Sequence, residues 1–358
     1  MFENIVKNNG WSTFRSKQIN HAFFVELIND WSEASSLPKE VRSYLTTNVA
    51  LSTIQAADTQ ISRRRDTIKT LFRLADGHHI ESVLMMHRDR NTVCVSSQVG
   101  CPVGCLFCST GKLGFQRNLT AREIVDQVMF FARRLNNMSQ ANTLPAATKS
   151  PITNVVFMGM GEPMLNLENV STAIKILTDE QMLGLGKRKI TVSTSGYIRP
   201  LKQFLSRFPH IGLAISLHAP TQTGREMIMP HVAKNNHLDE LLQVCRDYSR
   251  QTKRRVSYEY ILIEDINDSL EQAHQLAHIL HDHLFFVNLI PYNSPGKNST
   301  DVKKDGPVLK KPNTFRVNRF KQELIQLGVP VAVRVAMGSD IAGACGQLAG
   351  NKKRCLAD

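Results

Sequence analysis

Residues 101–108 read Cys-Pro-Val-Gly-Cys-Leu-Phe-Cys, which gives the spacing Cys-x3-Cys-x2-Cys. Thiolates this close along a chain can converge on one soft metal centre. A [4Fe–4S] cube needs four ligands, so three cysteines leave one iron open to a substrate. The alternatives are a zinc knuckle completed by a distant ligand, or buried free thiols. Because zinc sites use paired Cys-x2–4-Cys knuckles, the spacing favours an iron–sulfur centre held by Cys101, Cys105 and Cys108.

The composition is that of an enzyme of the cytoplasm. A chain of 358 residues can hold one α/β domain of about 250 residues and a small accessory domain. An odd number of cysteines, no secretory start and no apolar run near ~20 residues argue against a disulfide scaffold, secretion or a membrane span. The formal net charge of +13 favours a polyanionic partner, although solvated basic faces would also produce it.

From residue 92 onward, short β-branched runs alternate with helical patterns. Such alternation indicates βα units and a parallel sheet with buried strands. Six units predict an α/β fold of the partial (βα)6, TIM-like barrel type, with its site where the strands end. The cysteine stretch follows the first strand and therefore lies at that end. The predicted strands cover residues 92–96, 154–158, 190–194, 213–217, 256–263 and 285–290, with 329–335 as a further candidate.

The N-terminal part has a different pattern. Residues 1–75 are polar and look helical, which predicts a small helical accessory domain, with a helix starting at Pro38. At its end, residues 70–74 and 80–86 look like a hairpin around Asp76-Gly77. Residues 76–350 would then form the barrel, with an N-terminal extension and a C-terminal cysteine loop. Residues 351–358 form a basic tail.

Later strands end in residues that suit a small polar ligand. The second strand runs into Gly159, Gly161 and Glu162, where missing side chains let the backbone approach a ligand and a carboxylate can accept from an ammonium group. The next two strands end in small polar groups around Ser193 and in Ser216-Leu217-His218. These groups can bond a ribose or a carboxylate, or can simply cap turns.

Together these motifs resemble the RlmN/Cfr family of radical-SAM RNA adenine methyltransferases. The resemblance runs from about residue 75 to 350, and its most specific segments are residues 94–101, 107–110, 117–119, 158–163 and 344–350. Two segments depart from the family pattern: residues 340–344 read Asp-Ile-Ala-Gly-Ala instead of Asp-Ile-Asp-Ala-Ala, and residues 229–232 replace a usual Pro-Ile-Asn.

The resemblance implies two cofactors and a set of residues for them. They are a [4Fe–4S] cluster on the three clustered cysteines and S-adenosylmethionine, used twice per turnover. The residues that would contact S-adenosylmethionine are Gly161, Glu162, Ser193, Ser216, Leu217, His218 and Asn293.

The resemblance also assigns catalytic roles to two further cysteines and a glutamate. Adenine ring carbons are not nucleophilic, so the methyl group would first be placed on Cys345 and then added to the ring as a carbon radical. Cys94 would release the product by attacking the Cys345 sulfur, which forms a disulfide. Glu81 lies where the family has a proposed proton acceptor, and either Glu81 or Cys94 could take the ring proton.

The partners implied by the resemblance are 23S rRNA and an electron donor such as flavodoxin, with tRNA left open as a second substrate. The target would be an adenosine of the peptidyl-transferase centre. Pro163 and Ser109 resemble the RlmN branch and favour ring carbon C2 over C8. We expect a monomer, with residues 1–75 contacting RNA. Two alternatives stay open: a radical-SAM enzyme with another substrate, and a non-catalytic RNA-binding protein with a structural metal.

Overall fold

The computed structural model describes residues 1–140, 152–293 and 309–348. The predicted basic tail, residues 351–358, lies outside the described residues. The strands are β1 Ile54–Ile61, β2 Thr67–Leu74, β3 His79–His87, β4 Arg90–Cys94, β5 Gln98–Gly100, β6 Phe115–Asn118, β7 Asn154–Phe157, β8 Ile190–Thr194, β9 Gly212–Ser216, β10 Val256–Leu262, β11 Phe285–Pro291 and β12 Val331–Val333.

Three helices precede the sheet in the chain, and the others come between the later strands. In the described ranges, none is both long and apolar enough to cross a lipid bilayer. They are α1 Glu3–Asn8, α2 Phe14–Phe24, α3 Lys39–Asn48, α4 Ser109–Lys112, α5 Ala121–Gln140, α6 Leu167–Thr178, α7 Ile198–Arg207, α8 Gln222–Ile228, α9 Pro230–Ala233, α10 Leu238–Thr252, α11 Leu270–Leu280 and α12 Thr314–Gln326.

One ten-stranded sheet organises the fold, in the order β1-β2-β3-β4-β7-β8-β9-β10-β11-β12. Strands β4 and β7 to β12 are parallel, whereas β1 to β4 pair antiparallel. The sheet is open, with β1 and β12 at its edges, as in a partial barrel. This architecture confirms the predicted α/β class, the parallel strands and the hairpin around Asp76-Gly77, which joins β2 to β3.

The prediction that residues 1–75 are helical is wrong at its C-terminal end. The helices end at Asn48, and β1 and β2 then extend the sheet. In β1 only Ile54 is fully buried, so the strand shows no apolar alternation. This edge strand forms because its backbone pairs with β2, and not because it buries an apolar face. Such pairing leaves no sign in the sequence pattern. The helix start at Pro38 is confirmed.

The N-terminal helices pack on α5 and share its hydrophobic core. The guanidinium carbon of Arg122 lies 4.7 Å from the centre of the Phe23 ring, and that of Arg133 lies 4.6 Å from the same ring. Such cation–π contacts add to the burial of the aromatic side chain. The start of α5 is fixed by a capping box, in which Thr120 and Glu123 each bond the other's backbone N–H.

Candidate active site

The cysteine stretch forms a loop closed by a small hairpin. Strands β5 and β6 pair antiparallel, and the Cys101 N–H donates to the carbonyl of Gly114 at 2.9 Å. Within the loop, the Cys108 N–H donates to the carbonyl of Cys105 at 3.2 Å. All three thiols are half-buried and line one cavity. The loop thus brings the three predicted ligands to one place at the carboxyl end of the barrel strands.

Burial dominates the electrostatics of this loop. It raises the pKa of the Cys101 thiol to about 12 and that of Cys105 well above its ordinary value. The neighbouring Cys108 thiol shifts both pKa values further upward. In the described part of the chain, no three His, Cys, Asp or Glu side chains already form a metal-binding group. The soft, dry donor set fits a cluster, and binding would require the thiols to converge and lose their protons.

A cavity lies at this end of the sheet and opens to solvent, and its volume is about 890 Å³ when the solvent space at its mouth is included. It is where the structure brings most of the predicted site together, although those residues come from five separate segments. The predicted site residues that line it are Cys101, Cys105, Cys108, Gly161, Glu162, Ser193, Ser216, His218 and Cys345.

Two predicted cofactor contacts do not line the cavity. The Leu217 side chain is fully buried in the core, and its N–H donates to the Glu259 carbonyl at 3.0 Å. Asn293 lies two residues beyond the end of β11 and is half-buried. A role for either in binding S-adenosylmethionine stays a prediction.

The Gly161-Glu162 turn needs its glycine. Gly161 has φ +98°, and a Cβ there would lie 2.5 Å from the Cβ of Gln98. The adjacent carboxylate is held firmly, because Glu162 Oε2 accepts from the N–H and the hydroxyl of Ser195, both at 2.7 Å. Its Oε1 accepts from the Met164 N–H at 3.0 Å. Burial raises the pKa of Glu162, and these donors oppose that shift.

His218 presents a hydrogen-bond donor to the cavity. Its Nδ1 accepts the Ile261 N–H at 3.0 Å, and burial lowers the pKa of the imidazole to about 3. A neutral ring that accepts at Nδ1 carries its proton on Nε2. The ring also packs edge-on against Phe107 of the cysteine loop, with centroids 4.8 Å apart.

Arg225 is a structural residue of the site that the sequence did not reveal. Its side chain is completely buried, and its guanidinium donates to the carbonyls of Ser216, Leu217 and Ser195 at 2.9–3.1 Å. These carbonyls lie at the ends of neighbouring strands β8 and β9. One cation therefore clamps two of the strand ends that line the cavity.

Replacing Arg225 by Met should lower the free energy of unfolding by at least about 2 kcal/mol, because three buried carbonyls lose a charged donor. Urea unfolding measures the loss. Arg207→Met is the matched control, since Arg207 is half-exposed and pairs with Glu168 at the surface, where such pairs contribute under about 1 kcal/mol. Equal stability losses in the two variants would show that the clamp has no special role.

The loop that carries Cys345 is attached on two sides. On one side, the Ser109 N–H donates to the Gly346 carbonyl at 2.9 Å and the Thr110 hydroxyl donates to the Leu348 carbonyl at 3.0 Å. On the other side, the backbone N–H of Arg63, in the β1–β2 turn, donates to Asp340 at 2.8 Å. The C-terminal loop is therefore held between the cysteine loop and the β1–β2 turn.

Cys94 and Cys345 lie far apart in the sequence, yet both are within reach of the Arg334 charge. Cys94 ends β4 and is 7 % exposed, and Cys345 lies exposed on the cavity wall. Burial, and then the thiol of Cys345, raise the pKa of Cys94 to about 12. Both are free thiols here. Arg334 lies beside them, with its Nη1 3.9 Å from the Cys345 sulfur.

Glu81 lies near this loop and not on the cavity wall. It is buried on β3, where its Oε1 pairs with the Lys69 ammonium at 3.1 Å. The same ammonium lies 3.5 Å from the carbonyl of Ala342, in the Cys345 loop. Glu81 thus fixes a lysine that contacts the loop, and its role as a proton acceptor stays a prediction.

Two further cavity residues, Glu259 and Arg334, were missed by the sequence analysis. Both stand inside or next to runs that the pattern assigned to strands, at 256–263 and 329–335. A single charged residue within an apolar strand was the available signal, because burying a charge is costly unless it is paired or used.

Comparison with known proteins agrees with this geometry. The Radical SAM superfamily model matches residues 95–277, which contain the cysteine loop and the strands through β10. The fold and the three-cysteine loop define a radical SAM protein. Such enzymes use a [4Fe–4S] cluster and S-adenosylmethionine.

Full-length relatives identify the family. A dual-specificity RNA methyltransferase RlmN of Desulfotalea psychrophila is 42 % identical over 95 % of this chain and 90 % of its own length. A ribosomal RNA large subunit methyltransferase N of Nitrosopumilus maritimus is 38 % identical over 97 % and 95 %. The crystal structure of a radical SAM methyltransferase from Sphaerobacter thermophilus matches with TM-score 0.88 and 41 % identity, over 98 % of this chain and 97 % of that one. The chain belongs to the RlmN family of radical SAM RNA methyltransferases.

Proposed function

We propose that this protein methylates a ring carbon of an adenosine in the peptidyl-transferase centre of 23S rRNA, with a methyl group carried on Cys345. The observation that carries the proposal is the position of Cys345. Two hydrogen bonds from Ser109 and Thr110 bring its loop onto the cysteine loop, so that Cys345 and the three cluster thiols line one cavity.

The cavity offers a separate place for each part of the reaction. When bound, the cluster and S-adenosylmethionine supply radical chemistry. On the side of the cluster thiols, Glu162 offers lone pairs to an ammonium group, since a carboxylate can accept about four hydrogen bonds. Next to the cysteine loop, Cys345 accepts the methyl group through its thiolate. The Arg334 guanidinium lowers the pKa of that thiol, against the larger effect of burial, and so favours the nucleophilic form.

Cys94 is proposed to release the product. Its thiol would lose its proton and attack the Cys345 sulfur, so that a Cys94–Cys345 disulfide forms while the sulfur–carbon bond breaks. The electron pair of that bond stays with the carbon on the base, which takes up a proton and becomes the methyl group. With a pKa of about 12, Cys94 is protonated at neutral pH until it reacts. Glu81 and Cys94 both remain candidates for the acceptor of the ring proton.

The RNA is proposed to reach the cavity past the β1–β2 turn. The exposed residues 63–65, all arginine, lie in the β1–β2 turn, which bonds the Cys345 loop. Phosphate contacts by such residues would position a folded RNA, and the target base would be extruded into the cavity. Pro163 and Ser109 support carbon C2 over C8, because they resemble the RlmN branch of the family. We place the protein in the cytoplasm as a monomer served by a donor such as flavodoxin, with tRNA as a second candidate substrate.

Mass spectrometry of RNA from cells with and without this protein tests the proposal. We expect a methyladenosine in 23S rRNA that is lost when the protein is absent, and its fragmentation identifies the carbon. If RNA from both cells is identical, the radical SAM enzyme acts on another substrate.

Replacing Cys345 by Ala should leave the iron content unchanged but prevent methylation of the protein, because no sulfur remains to accept the group. Intact-mass measurement of protein incubated with S-adenosylmethionine detects the methyl group. A methylated Cys345→Ala protein would place the acceptor elsewhere in the chain.

A further inference from the structure

Glu259 is a buried carboxylate on the cavity wall that the proposed reaction does not use. It lies on β10, between Ser216 on β9 and Asn288 on β11 in the strand register, and its side chain is 5 % exposed. Glu259 Oε1 accepts a hydrogen bond from the Asn288 side-chain amide at 2.9 Å. The backbone carbonyl of Glu259 accepts from Leu217 and His218. The position of this carboxylate is therefore fixed by both neighbouring strands.

The second oxygen of this carboxylate has no donor. Among the described residues, nothing donates a hydrogen bond to Glu259 Oε2. Arg334 forms an ion pair with this oxygen, but its Nη1 lies 3.6 Å away, too far for a hydrogen bond, and also lies 3.8 and 3.9 Å from the sulfurs of Met158 and Cys345. A buried carboxylate oxygen without a donor is costly and rare in folded proteins. An oxygen in this state on a cavity wall points to a donor supplied by a ligand.

The two carboxylates of the cavity face different parts of it. Glu162 has both oxygens bonded by the protein, through Ser195 and Met164. Glu259 Oε2 instead lies 3.6 Å from Arg334 Nη1, which also lies 3.9 Å from the Cys345 sulfur. The open oxygen is therefore on the part of the cavity wall next to Cys345. An adenosine bound in the cavity carries hydroxyl and amino groups that can donate to such an oxygen.

We propose that Glu259 Oε2 accepts a hydrogen bond from an adenosine bound in the cavity, through a ribose hydroxyl or the 6-amino group. Two molecules offer this chemistry: S-adenosylmethionine and the target nucleotide of the RNA. The first source needs only membership of the radical SAM superfamily, whereas the second rests on the proposed function. In both cases Glu259 acts as a ligand-contacting residue.

The test measures ligand binding by Glu259→Gln holoenzyme, with iron content and unfolding free energy checked first. Gln keeps the shape of the side chain and can keep the hydrogen bond to Asn288, but it removes the charge. A neutral amide is a weaker hydrogen-bond acceptor for the ligand than the carboxylate. In one arm, equilibrium dialysis gives the Kd for S-adenosylmethionine and for analogues lacking the 2′-hydroxyl, the 3′-hydroxyl or the 6-amino group. In the other, filter binding uses a transcript of the peptidyl-transferase region with adenosine or purine riboside at the target.

We expect one arm to lose at least about tenfold in affinity, because hydrogen bonds to charged groups contribute that much or more. In the same arm, removing the ligand's hydroxyl or 6-amino group that bonds Glu259 should weaken binding to the wild type but should no longer weaken binding to the variant. A loss in the S-adenosylmethionine arm assigns the contact to the cofactor, and a loss confined to the transcript arm assigns it to the RNA. Glu264→Gln, five residues along and off the cavity, is the matched control and should leave both Kd values unchanged.

Two outcomes would overturn the inference. One is unchanged affinity in both arms. The other is a loss that is equal for every analogue, which would mean that Glu259 only supports the cavity wall. A protein that binds S-adenosylmethionine through Glu259 but modifies no RNA would separate this inference from the proposed function, since the cofactor arm would succeed while the search for methyladenosine failed.

Discussion

Replacing any one of Cys101, Cys105 or Cys108 by Ala is expected to abolish cluster assembly and, with it, cleavage of S-adenosylmethionine. Two thiolates cannot retain a cube that already lacks its fourth protein ligand. The loss should be complete, in contrast to the graded effects of changes around the cavity. Iron analysis and the visible spectrum of anaerobically purified protein report the cluster, and release of 5′-deoxyadenosine reports cleavage.

Cys245→Ala is the matched control for these three variants. Cys245 is a fully buried thiol of α10, so the same atoms are removed from the core without touching the cysteine loop. We expect a loss of about 1–2 kcal/mol in the free energy of unfolding and an unchanged iron content. Full iron content in a Cys105→Ala protein would contradict the cluster assignment. A colourless zinc-containing wild type would instead support the structural-metal alternative.

The strands and the cysteine loop could be predicted because their signals are local. Buried parallel strands appear as short β-branched runs, and the three ligands are separated by only a few residues. The edge strand Ile54–Ile61 was missed because its backbone pairing leaves no apolar alternation. The extent of the N-terminal helical region was therefore overestimated.

The cavity itself was only partly predictable. That Cys94 and Cys345 meet depends on bonds between segments more than 200 residues apart, such as Thr110 to Leu348, which no spacing rule reveals. The resemblance to a family supplied that pairing. Arg225 looks like an ordinary charged residue in the sequence, and only the structure shows that it is completely buried. Glu259 and Arg334 left only the weak signal of a charge within an apolar run. The site was thus predictable where its residues lie close together in the sequence. It was not predictable where a charged side chain contacts residues from distant segments.

Cys94→Ala is expected to convert the enzyme from one that releases its product into one that stays covalently attached to it. If Cys94 acts only after the carbon from Cys345 has joined the base, the variant should still be methylated on Cys345 and should still attack RNA. It then lacks the thiol that breaks the sulfur–carbon bond. Protein purified from cells should therefore carry RNA that resists denaturant and is removed by ribonuclease.

A denaturing gel with and without ribonuclease measures this outcome, and the double variant lacking both Cys94 and Cys345 is the control in which the shifted band should vanish. If Cys94 served only to pack the end of β4, its truncation would cost about 1–2 kcal/mol of stability and leave an uncrosslinked protein. The position of Cys94 favours the first result, because its buried thiol is near enough to Cys345 and Arg334 for their charges to act on it. The release mechanism would be refuted by a soluble, iron-loaded Cys94→Ala protein that methylates Cys345 yet shows no shifted band.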